Sequence, residues 1–351
     1  MALSHLTIRG VRNLEPCELT PAAGINWFHG DNGAGKTSIL EAIHVLARGR
    51  SFRATRLKGV IQHDQPALQV VVRRDNGSRL GLERSREDWR GRIDGRDTRR
   101  ISEFAAALPL VLIEPDSHRL VDGGPDRRRS YLDWQLFHVE HDFLQTWQRY
   151  ARLLRQRNAA LKSGAGAPTL AALEAPMVVV AERINRSRSQ QVADLSRVVD
   201  DLLQELRLRL PGRIQLRYRT GHPPDTDLAE ALAEQRDSDR ERGFTQRGPH
   251  RAELVLTSDG HPAAVELSRG QQKLLALTLL LAQLVVLGRA GDRQPLLLLD
   301  DPVSELDRGH LDQLLAWLRP RQLQCWITGT EAWSHADRLF HVEQGRVIPT
   351  S

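Results

Sequence analysis

Hydrophobic and polar residues follow a regular order in the first third of the chain. Residues 3–8 alternate like a half-buried strand, residues 25–29 form a short apolar strand, and residues 38–47 have helical spacing. Further strands are predicted by the apolar or alternating runs at 68–72, 79–83, 91–97 and 109–113, with turns at 75–77 and 94–95. The order of strand, glycine-rich turn and helix indicates an α/β unit.

The middle of the chain has a different pattern. Long arginine-rich helical segments are predicted at 130–161 and 175–210, separated by the linker-like residues 163–168. An α/β pattern resumes after Pro249, with strands predicted at 252–257, 295–301 and 324–328 and helices at 271–287 and 308–318. We therefore predict an α/β lobe formed by residues 1–115 and 250–351, and a mostly helical second lobe or arm formed by residues 116–249.

Length and composition exclude several classes of protein. A chain of 351 residues suits about two domains. The longest apolar run, residues 274–287, is shorter than a membrane span and is interrupted by Thr278 and Gln283. The first residues lack the pattern of a secretory signal, and the two cysteines are far apart. These features predict a cytoplasmic protein with no membrane partner, no disulfide framework and no zinc site.

Charge adds a candidate partner. The chain has 50 basic and 44 acidic residues, and only four of the basic residues are lysine, so 46 are arginine. Arginine binds phosphates with two parallel hydrogen bonds, which makes nucleic acid a candidate partner. Residues 127–129 and the run 149–157 are the candidate phosphate contacts. These arginines could instead form a solvated helix face. The excess of arginine over lysine could also result from a GC-rich genome.

The glycine-rich turn after the second strand carries a phosphate-binding motif. Residues 30–37 fit the P-loop pattern G-x-x-x-x-G-K-[ST] and lie between a predicted strand and a predicted helix. Its backbone N–H groups are expected to face the phosphates of ATP at the helix N-terminus. Lys36 is expected to contact the β- and γ-phosphates and Thr37 to bind Mg²⁺. The predicted nucleotide-binding residues here are Gly30, Asp31, Asn32, Gly33, Ala34, Gly35, Lys36 and Thr37.

A second buried strand ends in two carboxylates. Residues 296–299 are all leucine and are followed by Asp300 and Asp301. In a P-loop protein Asp300 would support Mg²⁺, and Asp301 would orient or deprotonate the attacking water as a catalytic residue together with Lys36. Two carboxylates that mark where a buried strand reaches solvent are the structural alternative.

A third motif points to a particular class of P-loop protein. Ser268 and Gly270 stand at the start of the predicted apolar helix, where an anion would be stabilised. The segment Leu-Ser-Arg-Gly-Gln-Gln resembles the LSGGQ signature of ABC-type ATPases, in which one protomer completes the ATP site of the other. The resemblance adds Gln271 to the nucleotide-binding set. Arg269 replaces the first glycine, as in recombination ATPases rather than transporters. Residues 304–307 resemble the D-loop at the same dimer interface, which adds Asp307.

The resemblance extends through nearly the whole chain and is closest to the RecF family of bacterial recombination proteins. The segments that carry it are residues 8–13, 123–129, 132–134, 154–161, 248–251 and 267–271. It implies an ABC-type P-loop ATPase head, with Arg12 near the nucleotide phosphates; a surface arginine is the alternative at that position.

The resemblance also implies a function. The implied function is ATP binding in recombinational DNA repair and replication restart, as part of the response to DNA damage and the SOS signal. Such a protein binds single- and double-stranded DNA, including gap junctions, and forms an ATP-dependent homodimer that helps to load recombinase with mediators such as RecR. Turnover is expected to be that of a weak, DNA-stimulated ATPase used as a switch.

Two elements of the ABC pattern are missing. No histidine follows the strand ending at Thr328, so Thr328 or Thr330 are the candidates for its role, and no Q-loop glutamine follows Ile113. The alternatives are the nucleotide-binding subunit of an ABC transporter and an SMC-like chromosome-structure ATPase of the Rad50 type. The arginine-rich middle argues against the first, and the lack of heptads against the second.

Overall fold

The structure, a computed structural model, describes residues 2–290 and 294–350. Its strands are β1 (Leu3–Arg9), β2 (Cys17–Leu19), β3 (Ile25–His29), β4 (Ala67–Arg74), β5 (Arg79–Ser85), β6 (Trp89–Ile93), β7 (Arg96–Thr98), β8 (Leu110–Ile113), β9 (Ile214–Arg219), β10 (Glu253–Ser258), β11 (His261–Pro262), β12 (Leu296–Leu299), β13 (Cys325–Gly329), β14 (Arg338–Glu343) and β15 (Arg346–Thr350). Its helices are α1 (Lys36–Arg48), α2 (Ile101–Ala107), α3 (Arg119–Asp122), α4 (Pro125–Val139), α5 (Phe143–Lys162), α6 (Ala167–Glu205), α7 (Leu228–Glu234), α8 (Arg236–Arg242), α9 (Ala263–Glu266), α10 (Arg269–Ala290), α11 (Pro302–Glu305) and α12 (Arg308–Leu318).

The chain divides into two compact units. The first unit contains Met1–Ser117, Gln204–Leu208 and Gln283–Ser351, and the second contains His118–Leu203 and Arg209–Ala282. The first boundary lies two residues from the predicted one at 115. The second boundary was predicted at 250 and lies at 282 instead. The physical reason is pairing within the second unit, where β10 pairs antiparallel with β9 along six residues.

A six-stranded sheet in the first unit carries the strands that flank the motifs. Its order is β15-β14-β3-β13-β12-β8, and every pair is parallel except β14 with β15. Strands β12 and β13 are buried along their whole length, which agrees with the all-leucine sequence of β12 and the mostly apolar sequence of β13. Parallel pairing places the C-terminal ends of β3, β13 and β12 at one edge of the sheet, where the motif residues follow.

A second, antiparallel sheet in the same unit has the order β2-β1-β4-β5-β6-β7. Its inward side chains, such as Leu6 and Val70, share one buried core with Ile39 and Ile43 of α1 and with Leu298 of the parallel sheet. Helix α1 is thereby fixed by burial in the shared core, so its N-terminus has a defined position at the strand ends.

The second unit combines helices with a three-stranded antiparallel sheet of order β11-β10-β9. The predicted helical segment 130–161 is two helices, α4 and α5, and the predicted helix at 175–210 is α6, which begins at Ala167. Strand β9 was not predicted, so the middle of the chain is mostly rather than wholly helical.

Helix α10 is longer than the apolar run 274–287 that it contains. It is 22 residues long, with a mean hydropathy of 1.7 in its most apolar window, so by length and composition it could cross a membrane. More than half of that window is buried inside the protein, and a buried core helix has the same composition.

Candidate nucleotide-binding site

The P-loop forms the turn between β3 and α1. Gly30, with φ +141°, passes so close to the neighbouring strand β14 that an added Cβ would lie 2.1 Å from the Val342 carbonyl oxygen. Gly35 precedes α1 with φ +117°. Both positions need glycine because side chains rarely adopt these angles. The backbone therefore curls at the start of α1, where its free N–H groups can bind an anion.

Lys36 lies inside this turn and is almost completely buried. Its ammonium donates to the carbonyl oxygens of Gly30, at 2.6 Å, and Asp31, at 2.8 Å. Burial lowers the pKa of Lys36, whereas the charges of Asp301 and Asp300 act in the opposite direction. A bound phosphate would supply the negative charge that carbonyl groups supply only in part.

The carboxylates after β12 lie beside the P-loop, as predicted. The hydroxyls of Thr37 and Thr328 each donate to Asp300 Oδ1 at 2.8 Å. The backbone N–H of Asp301 donates to the Thr328 hydroxyl, also at 2.8 Å. Thr328, at the end of β13, thus joins the two carboxylate residues into one network.

Asp300 and Thr37 suit a magnesium ion. Mg²⁺ prefers oxygen ligands and is usually bound by one or two protein groups together with phosphates and waters. Burial raises the pKa of Asp300, whereas the hydrogen bonds from Thr328 and Thr37 act in the opposite direction. The donor set fits Mg²⁺, although no group of three or more His, Cys, Asp or Glu side chains could hold a metal within the described residues.

Asp301 has an unusual backbone conformation. Its φ of 45° and ψ of 56° are left-handed, a region that aspartate tolerates better than most residues. The Asp301 side chain lines the cleft in front of the P-loop. Left-handed residues of this kind are frequent at functional sites, where the surrounding structure compensates the strain.

Arg12 lies at the edge of the cleft, but its guanidinium is occupied. It forms two hydrogen bonds of 2.8 Å to the buried carboxylate of Glu41 and a third, of 2.7 Å, to the Gly59 carbonyl oxygen. Ser51 donates to the same carboxylate and accepts from the backbone N–H of Arg53. These contacts attach the loop that contains Arg53 to helix α1.

Together these residues surround a cleft of about 390 Å³. Neither Arg53 nor Asn13 was predicted as a site residue: Arg53 stands in no motif, and of the segment 8–13 only Arg12 was assigned to the site. Asn13 is bound to the P-loop by a 3.0 Å hydrogen bond from its amide to the Gly33 carbonyl oxygen. The cleft can hold a polyphosphate with cationic, hydroxyl and carboxylate groups on its walls. Its lining residues are Arg12, Asn13, Asn32, Gly33, Gly35, Lys36, Thr37, Ser38, Arg53, Asp301 and Thr328.

The signature residues belong to the second unit and start helix α10. Gln271 accepts a 2.9 Å hydrogen bond from the Ser268 N–H, and the Gln271 N–H donates to the Ser268 hydroxyl at 3.4 Å. This is a capping box on a surface-exposed helix start. The space beside Gly270 is open, since no atom outside its immediate neighbours lies within 4 Å of a Cβ added there.

Asp307 caps a different helix. Its carboxylate accepts from the backbone N–H of His310 at 2.9 Å and contacts the imidazole of the same residue at 2.6 Å. These hydrogen bonds lower the pKa of Asp307. The predicted D-loop aspartate is therefore the N-cap of α12 in the first unit.

Three of the seven arginines suggested as phosphate contacts in the middle of the chain have other roles. Arg128 pairs with Glu253 at 2.8 Å, and Arg129 donates to the Ala252 carbonyl oxygen at 2.8 Å. Arg157 is completely buried between two carboxylates, so it cannot contact a phosphate at the surface. Glu253 of the same chain is therefore the acidic partner that offsets the repulsion between Arg128 and the positive N-terminus of α4.

Comparison with known families gives the same picture. Residues 2–347 match the family model described as RecF/RecN/SMC N terminal domain. The chain is 42% identical over 364 residues to the DNA replication and repair protein RecF of Pseudomonas fluorescens, covering 100% of this chain and 99% of that one. It is 41% identical over 365 residues to the protein of the same name from Pseudomonas aeruginosa, covering 100% and 98%.

Solved structures agree on the fold. A structure of the recombination mediator protein RecF with ATP, in the RecFOR pathway, superposes with a TM-score of 0.88 at 25% identity and covers 99% of this chain and 97% of that one. An Smc head domain derived from Pyrococcus yayanosii matches with a TM-score of 0.60 at 14% identity, covering 99% and 96%. The predicted α/β fold with an ABC-type ATPase head is confirmed, and the chain belongs to the RecF family of DNA replication and repair proteins.

Proposed function

We propose that this chain binds ATP and Mg²⁺ in the cleft, forms a homodimer when ATP is bound, and acts on DNA in recombinational repair and replication restart. The observation that carries the proposal is the 2.8 Å contact between Thr37 and Asp300, since it brings the P-loop together with a carboxylate 263 residues away. A P-loop and a strand-end carboxylate in this contact form the site that Mg²⁺ and nucleotide phosphates require.

Each residue has a separate role in the proposed site. Lys36 binds the β- and γ-phosphates, Thr37 and Asp300 hold Mg²⁺, and Asp301 orients the attacking water. Bound Mg²⁺ would neutralise charge on the phosphates. Aspartate is one methylene shorter than glutamate, so Asp301 positions water less effectively, which suits a weak ATPase used as a switch.

A dimer follows from the placement of the signature. The exposed N-terminus of α10 presents backbone N–H groups and Gly270 to solvent, where a second protomer can offer the γ-phosphate of its ATP. ADP lacks that phosphate, so hydrolysis would release the dimer.

The relatives support the biological setting. They are named DNA replication and repair proteins, and the ATP-bound relative is described as a recombination mediator. We extend this to binding of single- and double-stranded DNA, including gap junctions, and to loading of recombinase with mediators such as RecR in the cytoplasm. Membership in the RecF family removes the transporter subunit as an alternative.

Binding of a fluorescent ATP analogue tests the site. Lys36→Ala should weaken Mg²⁺-dependent binding about 10- to 100-fold, because it removes a charge-assisted contact to phosphate. Lys36→Arg should keep part of the affinity but impair hydrolysis, since the guanidinium is too bulky for the turn. Lys58→Ala, an exposed lysine outside the cleft, is the control. Equal affinity and turnover of the wild type and Lys36→Ala would reject the proposal.

A further inference from the structure

The arginines of the second unit fall into two groups. Those in the first group hold the fold together. Arg157 binds Glu174 at 2.9 Å and Asp239 at 2.7 Å, and Arg188 binds Asp133 at 2.8 Å. Such buried cations are unavailable to any ligand outside the chain.

The second group lies on the exposed face of α5. This helix contains five basic residues and no acidic residue. Among residues 2–290 and 294–350, Arg149, Arg152, Arg155 and Lys162 form no ion pair, and all four are exposed. Asp142, which lies in the groove beside Arg149, is already paired with Arg183 at 3.2 Å.

This arrangement is unfavourable in the isolated chain. Arg149 and Arg152 are three positions apart, as are Arg152 and Arg155, and like charges at this spacing repel one another on a helix. An external anion would relieve the repulsion. The arginines rise about 4.5 Å per step along the helix, so Arg149 and Arg155 span about 9 Å, enough to contact successive phosphates of one strand.

The same face indicates which form of nucleic acid it fits. The exposed positions of α5 are Gln145, Gln148, Arg149, Arg152, Arg155, Gln156, Ala159 and Lys162, and none is aromatic. Single-stranded DNA is usually bound by aromatic side chains on which its bases stack. A face of arginine and glutamine instead suits the phosphates and sugars of a duplex.

We infer that the exposed face of α5 binds the backbone of duplex DNA through Arg149, Arg152 and Arg155. The inference rests on the binding of double-stranded DNA proposed above and adds the surface and the contacting residues. Arg157, on the same helix, takes no part because it is buried.

Fluorescence anisotropy with a labelled duplex, the full chain and Mg²⁺–ATP tests this assignment. The variant carries Arg149→Gln, Arg152→Gln and Arg155→Gln, which remove charge but keep helix propensity. The control carries Arg92→Gln, Arg197→Gln and Arg240→Gln, exposed or half-buried arginines that are paired with Asp97, Asp194 and Asp237. Both variants lose three positive charges.

The α5 variant should bind the duplex about 10- to 100-fold more weakly. The slope of its log affinity against log salt concentration should fall by about 2 to 3, because each lost phosphate contact removes about 0.9. The control should stay within about threefold of the wild type. Its ATP turnover without DNA, and that of the α5 variant, should be unchanged.

Three results would overturn the inference. An α5 variant with the affinity and salt slope of the wild type would show that this face does not contact DNA, while leaving the proposed function intact. An equal loss in the control would show that only net charge matters. A wild type that binds no duplex in the presence of ATP would reject both the inference and the DNA binding on which it rests.

Discussion

At the scale of single residues, the cleft contains two charged groups, Lys36 and Asp300, that are buried in part or almost completely. Burial lowers the pKa of Lys36 and raises that of Asp300, so in both cases the surroundings favour the neutral form. A phosphate beside Lys36 and a cation beside Asp300 would reverse both effects. We therefore expect bound phosphate and Mg²⁺ to stabilise the folded protein.

The replacement Asp300→Asn should make the ligand-free protein more stable. Because burial raises the pKa of Asp300, its ionised form is disfavoured in the folded state, and the cost is present at neutral pH. Asparagine keeps an oxygen to accept from Thr37 and Thr328. Removing the charge should stabilise by about 1 kcal/mol, which corresponds to a rise in Tm of about 2–4 °C.

Calorimetry across pH checks this expectation. The difference in Tm should shrink as the pH falls through the raised pKa of Asp300, since the wild-type carboxyl group is then neutral as well. Adding Mg²⁺–ATP should raise the Tm of the wild type more than that of the variant, which keeps the P-loop but loses a proposed Mg²⁺ ligand. A variant less stable than the wild type at every pH would show that the carboxylate is needed for folding rather than for ligands.

At the scale of the elements, the sequence predicted the strands and turns that a local pattern of residues defines. Strand β12 is a continuous apolar run, β3 and β13 are short and mostly apolar, and the P-loop is defined by closely spaced glycines, so all four were found. Strand β9 was missed although Ile214, Leu216 and Tyr218 alternate with polar residues, because the arginine-rich segments before it indicate helix.

Contacts between distant residues were beyond the sequence pattern. Thr328 bonds to Asp300 because β12 and β13 are neighbours in the sheet, and Arg12 bonds to Glu41 because β1 and α1 share a core. No spacing rule encodes such pairs. Arg157 was misjudged for the same reason, since its two carboxylate partners come from α6 and α8.

Arg157 should be a determinant of stability rather than of DNA binding. Arg157→Ala leaves the carboxylates of Glu174 and Asp239 buried without their partner, a change that typically costs about 3–5 kcal/mol. Arg155→Ala on the same helix removes an exposed charge and should cost less than about 0.5 kcal/mol. Urea unfolding followed by circular dichroism measures both. Equal destabilisation by the two substitutions would contradict this account of the buried cluster.

At the scale of the whole molecule, the motifs proposed to contact nucleotide are distributed over two compact units. The P-loop and the two aspartates belong to the first, and Ser268 and Gly270 begin a helix in the second. The ATP-dependent dimer proposed above is the central claim at this scale. In that assembly each protomer supplies a P-loop to one ATP and a helix N-terminus to the other.

The exposed start of α10 allows this claim to be tested without disturbing the P-loop. Ser268→Arg places a bulky cation where the partner's phosphate is expected, while Lys36 and Thr37 remain unchanged. The variant should bind ATP as a monomer nearly as well as the wild type. It should fail to dimerise, since the phosphate can no longer approach the helix start.

Analytical ultracentrifugation of the wild type and Ser268→Arg, each with Mg²⁺–ATP, with Mg²⁺–ADP and without nucleotide, is the most direct measurement. The account predicts a dimer for the wild type with ATP and a monomer in the other five conditions. A wild-type dimer of equal strength in all three conditions, or a Ser268→Arg variant that still dimerises with ATP, would contradict it.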